Sequence, residues 1–99
     1  MKILALEKEL PYATAEAFRP LLKDEARRVW ELQQSGAIRE ITFRADQHTA
    51  VLVLECNDLE EARQLLATLP LMQAALIEFE IIPLAPYDGL ARLFGEAIC

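Results

Sequence analysis

The chain has 99 residues, 54% of them apolar without counting glycine, and a formal charge of −6 from 10 basic and 16 acidic side chains. That apolar content excludes intrinsic disorder, and it exceeds what a domain able to hide only about 65% of its unfolded surface buries alone, so a homodimer or an assembly of dimers is expected. The acidic balance disfavours a polyphosphate partner, so no nucleic acid is expected.

Two cysteines, Cys56 and Cys99, have no histidine or cysteine beside them at metal-ligand spacing, which fits a reducing compartment. The apolar run from Ile3 to Leu6 ends at Glu7 and is too short for a signal peptide, and Ala50 to Leu54 is too short to span a bilayer. A cytoplasmic protein with no membrane attachment is the expectation.

Lys2 to Glu7 predicts a first strand, followed by a loop at Pro11. From Phe18 to Gln34 the period turns helical: Phe18, Leu21, Leu22, Ala26, Val29, Trp30 and Leu32 share about half the circumference, opposite Lys23, Asp24, Arg27, Arg28 and Glu31. Thr14 offers a cap for an early start, but Pro20 would interrupt a helix interior. The regular helix is therefore expected from Arg19 or Pro20, with Gly36 as its stop.

Ala37 to Arg44 and Thr49 to Cys56 are β-prone runs joined by Ala45-Asp46-Gln47-His48. Without glycine in that connection, a hairpin loop of two or four residues is expected. Asn57 and Asp58 offer a helix cap, with Glu61 three residues after Asp58 completing a capping-box-like pattern, for a second helix whose stripe is Leu59, Ala62, Leu65, Leu66 and Leu69, stopped by Pro70. Leu76 to Ile82 predicts the last strand, ended by Pro83 and Pro86. Leu90, Leu93, Phe94 and Ala97 then align on one face of a short C-terminal helix, a face that wants a partner surface in the same chain or a neighbouring one. The order is the α+β, ferredoxin-like βαββαβ arrangement, an antiparallel sheet with two helices on one face. One domain over residues 1–99 is expected, with a core over 1–86 and an arm over 87–99.

Strand alternation assigns Ile41, Phe43, Ala50, Leu52, Leu54, Ile77, Phe79 and Ile81 to the helix-covered face. The other face then carries Ile38, Glu40, Thr42, Arg44, Val51, Val53, Glu55, Leu76, Glu78, Glu80 and Ile82. Such a mixed face is either solvated or packed against a second sheet, burying Ile38, Val51 and Val53 around a cavity lined by Glu40, Arg44, Glu55 and Glu78. Carboxylates confined there beside Arg44 would either pair with it or be raised in pKa by desolvation and by one another, and a raised carboxylate is a usable proton carrier. Trp30 is expected in the core, His48 in an exposed turn, and Cys56 as a small buried hydrophobe. Glu25 is read as a boundary residue of the first helix or, alternatively, a buried acid contacting Arg39. With no glycine-rich phosphate loop, zinc spacing or serine elbow, no nucleotide or metal cofactor is expected.

Gln33-Gln34-Ser35-Gly36, the hairpin, and Leu69-Pro70-Leu71 leading into Ile77-Glu78 and closing at Pro86 resemble the muconolactone isomerase family and its neighbours among the dimeric α+β barrel proteins. The likeness runs without gaps from Gln33 to Pro86. It implies a dimeric ferredoxin-like fold and carries over Arg39, Glu55 and Glu78 as pocket or interface residues. The chain departs from the family pattern at Glu40, which stands where the family has a histidine, and at Met72-Gln73-Ala74, which replaces Phe-Pro-Tyr.

The expectation that follows is a cofactor-independent isomerase or related lyase of a small anionic lactone or enol. Glu78 or Glu40 would move the proton, Arg39 or Arg44 would hold a carboxylate, and Glu55 would line the pocket. The alternative is a non-catalytic dimeric module that binds a small molecule or another protein.

Overall fold

A computed structural model describes residues 1–95. Four antiparallel strands form one sheet in the order β2-β3-β1-β4: β1 (Lys2–Glu9), β2 (Ile38–Phe43), β3 (Ala50–Glu55) and β4 (Ile77–Leu84). The first strand is central and pairs with both β3 and β4. Its alternation places Ile3 and Ala5, both fully buried, under the helices, and Leu4 and Leu6 on the open side.

Four helices connect the strands: α1 (Ala15–Phe18), α2 (Leu22–Gln34), α3 (Leu59–Leu66) and α4 (Pro70–Gln73). The Thr14 hydroxyl accepts from Ala17 N at 3.1 Å and so starts α1, while Pro20 sits in a 3-10 turn over Arg19–Leu21 that restarts the chain into α2. The helical region thus begins earlier than expected and breaks at the proline. Gly36, at φ +85°, ends it as predicted. The Asp58 carboxylate accepts from Glu61 N at 2.8 Å and caps α3.

Pro70 has the opposite role from the one expected, because α3 has already closed at Leu66 and the proline opens α4 at a position where no amide hydrogen is required. Pro83 lies inside β4, paired with Ile3, and the strand runs on to Leu84. An edge strand tolerates a missing donor. The hairpin has four loop residues, one of the two expected lengths, closed by Arg44 N to Thr49 O at 2.8 Å with His48 in the left-handed region at φ +54°.

Helix α2 lies over β2 and α3 over β4, on one face of the sheet. Ile3, Leu52, Leu54, Leu66 and Leu69 are the largest side chains with almost no exposure. Burying each contributes about 1.5–3 kcal/mol before entropy is counted. Cys56 joins this cluster as expected, and burial pushes its thiol up.

Three face assignments change. Ile38, expected on the open face beside Glu40, pairs with Leu54 and lies in the core, because a bulge at Arg39 inserts an extra residue and turns it to the helix side. Leu76 precedes β4 and is buried with Leu71 and Ile77 in a second small cluster. Trp30, expected in the core, is 59% exposed on α2, where Leu22 is also exposed. The C-terminal segment is a 3-10 turn over Gly89–Phe94 rather than a helix reaching Ala97, and Ala97 lies outside the described residues.

Candidate functional site

The apolar face of α2 is only partly used by the core, since Leu32 is its one buried residue. What remains uncovered forms one wall of a groove of about 750 Å³. Leu22, Ala26 and Val29 supply that wall with Phe18 of α1 beside them, Ile41, Phe43 and Ala50 supply the sheet wall, and Leu71 closes one end. A volume of this size suits a small organic molecule. The His48 ring stacks on Phe43 with centroids 4.1 Å apart, so the exposed loop histidine forms part of the lip.

Two carboxylates enter this groove from opposite walls. Glu7 follows Ile3 and Ala5 in the alternation of β1 and is half-buried on the helix side, where its Oε1 accepts from Ala50 N at 3.0 Å. Glu25 on α2 is half-buried too, and its Oε1 accepts from Leu71 N at 3.0 Å. Desolvation pushes both above their ordinary value of 4.5, and the backbone donors oppose the rise without cancelling it. Glu9 raises Glu7 further and Glu7 raises Glu25 further, while His48 pulls Glu7 down. Arg19 also lines the groove and makes no ion pair among the described residues. The groove thus combines apolar walls, two acids poised toward protonation and one guanidinium.

The residues singled out from the sequence lie on or beside the opposite, open face. Arg39, Glu40 and Glu55 share with Lys2 a depression of about 290 Å³. The amino terminus of Met1 holds Glu55 at 2.8 Å and, with its hydrogen bond, pulls that carboxyl below the ordinary value. Arg44 is in the hairpin loop, where two nitrogens meet Asp46 at 3.0 and 2.7 Å. That pairing lowers Asp46 and raises Arg44.

Glu78 stands opposite Lys8 on β4, whereas Glu40 stands opposite Val53 on β2. Three inter-strand spacings and four residues of strand separate them, about 14 Å across and about 13 Å along, so one subunit does not bring these two acids to a common reacting atom. Glu80 lies nearer Glu78 and is 3.8 Å from Lys8. Glu25 contacts Leu71 N, not Arg39.

Glu7, Arg19 and His48 were not read as groove residues from the sequence. The signal for Glu7 was present, because the period that buries Ile3 and Ala5 continues onto it. No comparable signal marks Arg19, whose placement depends on the break at Pro20.

The chain matches the model of the muconolactone delta-isomerase family over residues 4–89. Among solved structures, a muconolactone isomerase superposes with a TM-score of 0.71 and 21% sequence identity, covering 89% of this chain and 92% of the other. A 5-chloro-2-hydroxyhydroquinone dehydrochlorinase from Burkholderia phenoliruptrix, solved with 2,5-dihydroxybenzoquinone, superposes with a TM-score of 0.62 and 15% identity, covering 90% of this chain and 98% of the other. No curated protein sequence matches. Both structural likenesses concern the fold, and the family match spans most of the chain. This chain therefore belongs to the muconolactone delta-isomerase family.

Proposed function

We propose that the protein is a cofactor-independent isomerase, or a related lyase, of a small unsaturated ring compound carrying a carboxylate, and that the reaction takes place in the groove between α2 and the sheet. The observation that carries this reading is the pair Glu7 and Glu25, two half-buried acids with raised pKa values set in opposite walls of one apolar groove. A carboxyl whose pKa is raised is a stronger base than an ordinary carboxylate, and it serves as both base and acid in one turnover. Glu7 takes a proton from the carbon next to an unsaturated carbonyl system, the double bond shifts, and the same proton returns to the far end of the conjugated system. Atoms and electrons balance without an oxidant. Arg19 holds the ligand's carboxylate at the rim, and Glu25 fixes α4 against α2 so that Leu71 closes the pocket.

The family match supports muconolactone as the first substrate to try. Replacing Glu7 by Gln keeps the shape of the site and removes the proton carrier, so turnover is expected to fall by about 10²–10⁴. Turnover that survives Glu7→Gln but is lost in Glu40→Gln or Glu78→Gln moves the chemistry to the open face.

A second reading has its own observation. The depression formed by Lys2, Arg39, Glu40 and Glu55 sits on a face whose middle is a strip of Leu4, Leu6, Val51, Val53 and Ile82. Packing two such faces together would hide the strip and enclose the charged depression, as a cytoplasmic dimeric binding module with no catalytic role requires. The same packing also serves the isomerase reading, in which the open face holds two copies together while each groove faces outward. Among the described residues no helix is long and apolar enough to cross a membrane.

A further inference from the structure

The groove is rich in acceptors and poor in donors. Glu7, Glu9 and Glu25 line it, and the Ala50 and Leu71 amides are already given to Glu7 and Glu25. The rest of the lining is apolar except for Arg19 and His48. Among the described lining residues these are the two side chains able to donate a hydrogen bond to a ligand at neutral pH. The ring nitrogens of His48 make no hydrogen bond among the described residues, so that donor is unspent.

The hairpin holds the ring in place. His48 N donates to Arg44 O at 2.9 Å, Arg44 N donates to Thr49 O at 2.8 Å, and the Arg44 guanidinium grips Asp46 through two nitrogens at 3.0 and 2.7 Å. Arg44 and Asp46 thus brace the loop that carries His48. The left-handed backbone at His48, φ +54°, sets its ring over Phe43 with the planes 22° from parallel. Phe43 is the ladder partner of Ala50, and Ala50 N is the donor to Glu7. Glu7 and the Phe43–His48 pair therefore stand on either side of Ala50, two strand spacings or about 10 Å apart. One small ring fills that gap, and His48 is near enough to Glu7 to pull its carboxyl down against burial.

Taking a proton from the carbon beside a carbonyl sends the C–H electron pair into a new C=C bond and the carbonyl π pair onto oxygen. That oxygen carries the negative charge until the far carbon is protonated and the electrons return. In a groove lined by three acids the charge needs a donor aimed at it. Arg19 comes from the helix wall and is assigned to the ligand's carboxylate, whereas His48 comes from the sheet side, as Glu7 does.

Resting on the isomerase reading of the groove, we infer that His48 is a second catalytic residue, its ring N–H donating to the ligand's carbonyl oxygen while Glu7 moves the proton. The hydrogen stays on the ring throughout, Glu7 alone carries the transferred proton, and no further base or oxidant enters. Phe43 fixes the height of the imidazole and offers the ligand an apolar edge. Because the two donors come from opposite walls, the substrate class narrows to rings that present the carbonyl at one end and the carboxylate at the other.

Two substitutions in the full chain separate donation from stacking. His48→Phe keeps an aromatic ring over Phe43 and removes the N–H, whereas His48→Gln removes the ring and keeps a donor. Thermal melts establish that both fold. With muconolactone, His48→Phe should lower kcat by about 10²–10³ with little change in KM, and His48→Gln should recover at least about tenfold of that loss. A kcat in His48→Phe equal to wild type, or above that of His48→Gln, overturns the assignment, while inactivity of Glu7→Gln in the same assay keeps the isomerase reading. Where wild type turns over no lactone, the variants are compared by binding of a nitrophenolate that carries a carboxylate, a stable coloured mimic of the enolate. His48→Phe should weaken that binding about tenfold or more, and His48→Gln less. Unchanged binding in His48→Phe, or no binding to wild type, overturns the donor role. Weakened binding without turnover keeps the donor and rejects the isomerase reading.

Discussion

Removing the Glu25 carboxyl tests how α2, α4 and the groove depend on one another. Leu71 is nearly buried, its N–H belongs to the first turn of α4, and Glu25 Oε1 at 3.0 Å is its hydrogen-bond acceptor. Glu25→Ala leaves that donor without a partner at a site water reaches poorly, at a cost of about 1–3 kcal/mol. In a domain of this size each kcal/mol is worth about 4–8 °C in Tm. Glu25→Gln keeps an acceptor in place and should stay within about 1 kcal/mol of wild type.

The two variants also separate through pH. Burial raises Glu25 above 4.5 in the folded chain, so the native state holds its proton more tightly than the unfolded chain does. That contribution to stability is complete below the unfolded value and is lost as pH rises through the folded one; Glu7 has the same sign. Glutamine does not titrate, so Glu25→Gln should gain on wild type as pH rises above the unfolded value and through the folded one. Urea unfolding at a series of pH values and one fixed protein concentration measures both effects. Equal costs for alanine and glutamine, with a difference from wild type that does not vary with pH, would refute this account of Glu25.

Val53→Lys places an ammonium in the middle of the open-face strip, where packing against a second sheet would leave it buried and unpaired at a cost of several kcal/mol. Light scattering should show smaller assemblies for the variant, and a mass near that of one chain for wild type at micromolar concentration would contradict face packing. Asp58→Ala deletes the cap bonded to Glu61 N and should lower stability by about 1 kcal/mol, with Asp58→Asn recovering most of it in thermal melts.

Much of the architecture was legible because it rests on local chemistry. Alternation around Leu52 and Leu54, the Asp58 cap, the stop at Gly36 and the even hairpin loop each follow from a few neighbouring residues. The bulge at Arg39 was not legible, since it is fixed by pairing with β3 and by Glu55 N bonding to Ala37 O. It carried Ile38 to the other face. Trp30 shows a related limit: helical periodicity identifies an apolar face, but how much of that face the chain itself covers is a tertiary matter.

The site divided in the same way. Shared faces for Glu40 and Glu78 could be read from parity, but their distance across four strands needed the strand order. The groove needed two elements distant in sequence, Glu7 on β1 and Glu25 on α2, to be seen together. Leu69-Pro70-Leu71, which carried the family resemblance, is the segment that Glu25 holds in place.

Backbone amide shifts during titration with a small unsaturated lactone bearing a carboxylate test the groove most directly. Ala50 N–H and Leu71 N–H each donate to one of the two groove acids, so they report any ligand that changes the charge or hydrogen bonding of Glu7 and Glu25. The predicted result is a saturable shift of both amides, with those of Glu40 and Glu55 unmoved. Saturable shifts at Glu40 and Glu55 with Ala50 and Leu71 silent would contradict the groove and place the ligand on the open face.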